Sequence, residues 1–336
     1  MRHFFILIFT KFFEKMKIIF KSVSLVALMI FGLSSYAQTV VDAGQKFNAA
    51  NQQMNANAFS QAVSLYEQAL KTTKAVGPDA ADLQGQIENQ LTIAYFKNGI
   101  SLYKKRQFDQ AIAQLEKSKQ MAKTTKNAKF TTLCTTYISR VYYSKGMSFI
   151  NNKELAQATA QFEQALKVQP NSIYAIFGKS LVAKEQGNMP QMMLLVDKLG
   201  EMAATNPKAA NIYNKAQSMA FRTLMNNGAS ELQKEHTTKS LEYLKDALKY
   251  HAGTSNLFYY VAIANIKLSR WSDAIVAAKK AIVLANKDKS DLYFTLGQAY
   301  QGKKDKANAC KSFKQVVKGP NVAAAKYQIK QVLKCS

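Results

Sequence analysis

The chain is short of the residues that interrupt helices and of those that carry chemistry. Its 336 residues include 5 prolines, 14 glycines, 3 cysteines and 3 histidines. So little Gly and Pro, beside 48% hydrophobic residues, excludes low-complexity linkers and disorder and fits a helical protein with a real core. The scarcity of His and Cys narrows the chemistry. After residue 37 the histidines are His236 and His251, and neither has a Cys or His at metal-ligand spacing, so both are read as surface or helix-end residues. There is no glycine-rich phosphate loop, no G-x-S-x-G elbow and no H-E-x-x-H helix. Asp109, Glu163 and Asp246 fall at helix positions where solvated faces are expected. No catalytic residue, metal ligand or cofactor is therefore assigned.

Acidic residues are also few. Against 46 Lys and Arg stand 21 Asp and Glu, a formal charge of +25. Long apolar runs are limited to the N-terminus, where Lys17 and Lys21 precede Val23 to Leu33, and Ser35-Tyr36-Ala37 supplies a small-x-small cleavage site. The run falls short of the roughly 20 residues that span a bilayer. Residues 1–37 thus read as a signal peptide cleaved after Ala37, with export to the periplasm. The alternative is an uncleaved inner-membrane anchor helped by Phe4 to Phe9. Met16 offers a second start, and no Cys follows the apolar run to support a lipoprotein anchor. Residues 1–37 hold five basic residues and one acidic residue, so the remainder keeps 41 against 20, or +21. A charge that large attracts anions at long range. Export argues against nucleic acid and leaves acidic proteins, envelope polymers or peripheral contact with lipid headgroups, beside the plainer reading of lysines spread over a soluble surface.

What the chain does contain is a repeat. A small residue, an aromatic or apolar residue four on and a small or apolar residue three after that recur as Ala62-Tyr66-Ala69, Ala111-Leu115-Ser118, Ala158-Phe162-Ala165, Met192-Val196-Leu199, Ser240-Leu244-Ala247, Ala274-Ala278-Ala281 and Ala309-Phe313-Val316. Successive copies start 49, 47, 34, 48, 34 and 35 residues apart. A small residue twelve positions ahead of each start lets two helices approach, as at Ala50, Gly99, Gly146, Gly228, Ala262 and Gly297. In the last copy Tyr293, Leu296, Gly297, Tyr300, Ala309, Phe313 and Val316 complete the pattern. With its period of about 34, the chain resembles the tetratricopeptide repeat family over about Gly44 to Pro320. The resemblance implies an all-α, right-handed superhelical solenoid of helix-turn-helix units over residues 38–320, with residues 321–336 as a C-terminal capping helix and tail.

Three spacings exceed the standard period. Leu83, Ile87 and Leu91 recur every four residues, so the extra length reads as longer first helices rather than loops, and Phe130 to Ile138 and Ala209 to Met219 read alike. The fourth copy is the weakest: Pro190 lies beside Met192, Gly178 and Gly187 permit two registers two residues apart, and a hinge or distorted hairpin is an option there.

The resemblance further implies a non-enzymatic scaffold that binds a peptide or protein segment on its concave face. In this family positions 2, 5, 9, 12 and 13 of each first helix face inward. Carried over, they include Phe96, Tyr103, Lys104, Arg140, Tyr143, Arg222, Tyr259, Lys267, Phe294 and Gln298 as groove residues. Aromatic rings interleaved with Arg and Lys suit an acidic peptide or a chain terminus. The competing role for the same rings is packing between adjacent first helices, with the cations solvated. A different functional class, a polyanion or membrane-surface binder, also fits the charge and differs by its steep salt dependence. Cys134, in an apolar and threonine-rich stretch, reads as a buried small hydrophobe. Cys310 and Cys335 are expected to pair, because the chain turns at Gly319-Pro320 and runs back antiparallel, bringing the start of one helix beside the end of the other. Oligomeric state is not readable from the sequence.

Overall fold

The computed structural model describes residues 39–335, so the predicted signal peptide and its cleavage site lie outside the described residues. Every regular element among the described residues is helical. Fifteen helices follow one another: α1 (39–55), α2 (Phe59–Val76), α3 (Ala81–Lys104), α4 (Phe108–Thr124), α5 (Ala128–Asn151), α6 (Leu155–Val168), α7 (Ile173–Glu185), α8 (Met189–Thr205), α9 (Pro207–Gln233), α10 (Thr237–Ala247), α11 (Ser255–Lys267), α12 (Trp271–Leu284), α13 (Ser290–Gly302), α14 (Lys306–Lys314) and α15 (Val322–Tyr327). The first fourteen form seven pairs, one for each copy of the repeat. Two compact units hold them, one comprising the chain up to Ser148 with Glu163–Pro170, the other Phe149–Phe162 with the chain from Asn171.

The repeat residues form the core. All twenty-one residues of the seven spaced triplets are buried, the most exposed being Val316 at 6%. In the first unit Tyr66, Ile87 and Leu91 pack with Ala50 and Ala62, and Leu115 packs with Ile138 and Val141. In the second, Phe313 packs with Ala309, Val316 and Ala325, while Leu296 meets Ala274 and Ala278. Burying each large side chain contributes roughly 1.5–3 kcal/mol. Close approach explains the small residue twelve positions ahead of each triplet, the eighth position of the repeat: a Cβ built on Gly99 would lie 2.8 Å from Leu115 Cγ, and one on Gly228 2.6 Å from Leu244 Cγ. Where a serine replaces alanine it is satisfied locally, the Ser240 hydroxyl donating to the Gly228 carbonyl at 2.7 Å.

The pairs also share one turn. Asn57, Arg106, Lys153, Gly187, Glu235, Ser269 and Lys304 all adopt a left-handed backbone, φ 56° to 72°. At each, the next residue's N–H reaches the carbonyl five residues back, from Ala58 to Gln53, Gln107 to Leu102, Glu154 to Phe149, Asn188 to Ala183, His236 to Glu231, Arg270 to Asn265 and Asp305 to Tyr300, at 2.8–3.0 Å. This is the Schellman closure of a helix C-terminus. It settles the fourth copy. Gly187 is its turn glycine, so Ser180 takes the eighth position, fully buried with its hydroxyl on the Phe177 carbonyl at 2.7 Å. Gly178 serves a different contact, since a Cβ there would lie 2.4 Å from Phe162 Cε1. The hinge or distorted hairpin expected as an option gives way to an ordinary hairpin. Pro190 causes no break because it sits in the first turn of α8, behind an Asn188 cap whose side chain accepts from Gln191 N at 3.1 Å.

The longer spacings are continuous helix: α3, α5 and α9 run 24, 24 and 27 residues, against 13 in α7, α11 and α13. At the C-terminus, where a capping helix is expected after residue 320, one helical segment runs unbroken from Val322 to Val332. α15 ends at Tyr327 and continues as a wide π turn over Gln328–Val332, which brings Cys335 N to the Ile329 carbonyl at 2.9 Å.

Candidate functional site

The residues predicted to line a groove fall on first helices, and each unit treats them differently. In the first unit they lie on α3 and α5. Phe96 is half-buried with its ring edge-on to Phe130 and Tyr137, centroids 5.3 and 5.1 Å away. The Tyr103 hydroxyl shares a hydrogen bond with Ser144 Oγ at 2.7 Å. Both aromatics therefore join neighbouring first helices, one of the two roles left open by the sequence. Arg140 and Tyr143 are half-buried on α5, the guanidinium 5.6 Å from the Tyr137 ring centre. Lys104 is exposed at the end of α3.

In the second unit the exposed members are polar: Arg222 on α9, Lys267 at the end of α11 and Gln298 on α13. Lys267 Nζ lies 3.7 Å from Glu235, itself 83% exposed, so this pair is weak. Phe294 is half-buried against Phe313 at 5.6 Å. Tyr259 stands beside Tyr260, and burial pushes its phenol pKa up, with the Asp291 carboxylate adding to the shift. Tyr259 and Asn256 border an open cavity of about 390 Å³ that Asp288, Asp291 and Lys287 also line. Asp288 is held as a carboxylate, its pKa lowered by hydrogen bonds from Ser290 N and Oγ at 3.0 and 2.8 Å. The surroundings of Tyr259 thus carry both signs of charge.

Sequence reasoning passed over the first helix of the fourth copy, whose register was open. With Ser180 in the eighth position, Tyr174, Phe177, Leu181 and Lys184 of α7 occupy positions 2, 5, 9 and 12, and all four are half-buried. Gly187, five residues before Met192, was the signal available to place them.

A carboxylate also clamps the fifth turn. Glu231, its side chain 11% exposed at the end of α9, lies 2.8 Å from His236 Nδ1, 3.3 Å from Lys234 Nζ and 3.5 Å from Lys239 Nζ. The hydrogen bond from His236, followed by those lysines, outweighs desolvation and lowers its pKa to about 2. His236 is the exposed cap residue of α10, and His251 is exposed with its ring 4.6 Å from that of Phe221. Cys134 is fully buried, and burial pushes its thiol pKa up, which leaves it unreactive. Cys310 and Cys335 come together with Cα atoms 5.8 Å apart and their sulfurs in bonding contact. Among the described residues no group of three or more His, Cys, Asp or Glu is placed to hold a metal, and no helix is long and apolar enough to cross a membrane.

The tetratricopeptide repeat family model matches residues 139–172 and 290–318. Each match begins seven residues before the small residue of its copy, Gly146 or Gly297, the register read from the turns. Among solved structures, the chain is similar to YrrB, described as a TPR protein with an unusual peptide-binding site, at 14% identity over 56% of this chain and 91% of that one, with a TM-score of 0.34. It is similar to PilF of Pseudomonas aeruginosa at 14% identity over 59% and 93%, with a TM-score of 0.28. A third likeness is to the TPR2AB domain of yeast Sti1, solved with pHSP90, at 15% identity over 88% and 98%, with a TM-score of 0.35. No curated protein matches the chain.

Proposed function

We propose that this chain, a tetratricopeptide-repeat protein, is a non-enzymatic scaffold of the bacterial cell envelope that holds a peptide or protein segment on the faces of its first helices. The observation that carries this reading is the recurrence of one register in seven hairpins, marked by seven left-handed turns. It repeats the same first-helix positions along the array and fills them with half-buried aromatics and with exposed Lys104, Arg222, Lys267 and Gln298. Half-buried rings offer contact area at little entropic cost, and guanidinium groups read carboxylates with two parallel hydrogen bonds. In each unit an acidic segment or a chain terminus fits the arginine and its apolar anchor, Arg140 with Tyr143 in the first and Arg222 with Tyr259 in the second.

The order of basic, apolar and small residues before Gln38 supports export with cleavage after Ala37. The approach of Cys310 and Cys335 supports a disulfide formed in an oxidising compartment. It would close a loop of 25 residues, which on the chain-entropy model stabilises the end of the array by about 3 kcal/mol. The test is partner capture from envelope extract by the mature chain. Replacing Arg140, Tyr143, Arg222 and Tyr259 by alanine, with circular dichroism unchanged, is expected to weaken capture at least 10-fold. Equal weakening after removal of four second-helix lysines would instead establish diffuse polyanion binding.

A further inference from the structure

The end of the chain carries charge of one sign. From Lys306 onward there are seven lysines and no aspartate or glutamate. Lys306, Lys311 and Lys314 share one face of α14, and the fold brings Lys334 to the same place. With Cys310 and Cys335 they line an open depression of about 630 Å³. The acid just ahead in sequence, Asp305, is engaged as the α14 cap, accepting from Asn308 N at 3.1 Å and from Asn308 Nδ2 at 2.7 Å.

The same segment exposes large apolar side chains: Val317 is 69% exposed, Tyr327 58% and Val332 47%. Soluble anions and sulfated or acidic polymers have use for the lysines and none for these side chains. A bilayer uses both, since lysines meet anionic headgroups while valine and tyrosine enter the boundary with the acyl chains. We infer that the C-terminal end, α14 through Cys335, is a docking surface for an anionic phospholipid membrane, separate from the first-helix faces. Joining Cys310 to Cys335 fixes Lys334 beside α14 and so assembles the cationic depression.

Vesicle flotation of the full chain tests this, comparing neutral phosphatidylcholine vesicles with mixed phosphatidylcholine–phosphatidylglycerol vesicles, whose surface is anionic. The change from parent to variant on anionic vesicles is the readout, so the contribution of residues 1–37, their five basic residues included, cancels. Each lysine at an anionic surface is worth roughly 5-fold in partitioning. Lys306→Gln with Lys311→Gln and Lys334→Gln is therefore expected to lose roughly 100-fold on anionic vesicles, with circular dichroism unchanged. The first-unit control, Lys71→Gln with Lys74→Gln and Lys123→Gln, is expected to lose less than about 5-fold. Val317→Ser with Tyr327→Ser should weaken vesicle binding roughly 10-fold and leave binding to soluble dextran sulfate unchanged. Equal losses in the two lysine variants would overturn the proposal. So would serine substitutions without effect on vesicles while the α14 lysine variant lost dextran sulfate, an outcome that marks an acidic-polymer site.

Discussion

Copies with long first helices differ from copies with short ones in how the added turns are buried. α3, α5 and α9 begin 11, 11 and 14 residues ahead of the first repeat position, whereas α7, α11 and α13 begin on it. The second helix just before each long one is long as well: α2, α4 and α8 have 18, 17 and 17 residues, while α6, α10 and α12 have 14, 11 and 14. Insertions thus lengthen two consecutive helices together at the turn between copies. The added turns are core rather than overhang, since Ile87, Leu91, Cys134, Ile138, Ala209 and Ala216 are at most 1% exposed. A lone helical extension would expose its apolar stripe. A paired one buries it, which is how the array takes insertions without a loop.

The sharpest way to break this comparison is inside an added turn. Ile87→Ala removes a fully buried side chain, and the expected loss is about 2–5 kcal/mol in urea denaturation. A loss under about 0.5 kcal/mol would mean that the extension is a solvated overhang. The turns come next, because long and short copies share them. Gly187 has no atom within 4 Å of where a Cβ would be, yet its φ is +72°, so Gly187→Ala should cost about 1 kcal/mol through backbone strain alone. Arg106→Gly at the equivalent turn is expected to be neutral or to stabilise by a few tenths of a kcal/mol. Destabilisation of equal size at both would contradict the shared register.

The smallest effect concerns Glu231 and depends on pH. Its folded pKa lies below its unfolded one, so its contribution is present above about 4.5 and is lost as pH falls toward about 2. Glu231→Gln should be less stable than the parent at pH 6, and the two should converge across that window in thermal melts. A gap that persists at pH 2 would show that the clamp is not electrostatic.

Much of the core was legible because the small-aromatic-small spacing records burial directly, one helical face at a time. The fourth register was not, because Gly178 mimics the eighth position while serving a different contact, with Phe162. The turns escaped notice for another reason: six of the seven left-handed residues are not glycine, so their conformation is imposed by the closing hydrogen bond rather than declared by residue type. The site was half legible. Family positions name Phe96 and Tyr103, but Phe96 packs on Phe130, a residue of the α5 extension that has no counterpart in the standard repeat, and the Tyr103 partner Ser144 is not among the inward-facing family positions. Helical spacing does not register the change from α to the wider π winding at Gln328–Val332.

The central claim, that the first-helix faces hold a protein segment, is tested most directly by photo-crosslinking in cells. A photoreactive side chain is placed at Arg222 or Gln298 on first helices, and at Lys245 or Lys279 on second helices, all four exposed. Discrete protein adducts from the first two positions and none from the last two are the predicted result. Adducts of equal yield from all four, or from the second-helix positions alone, would contradict it.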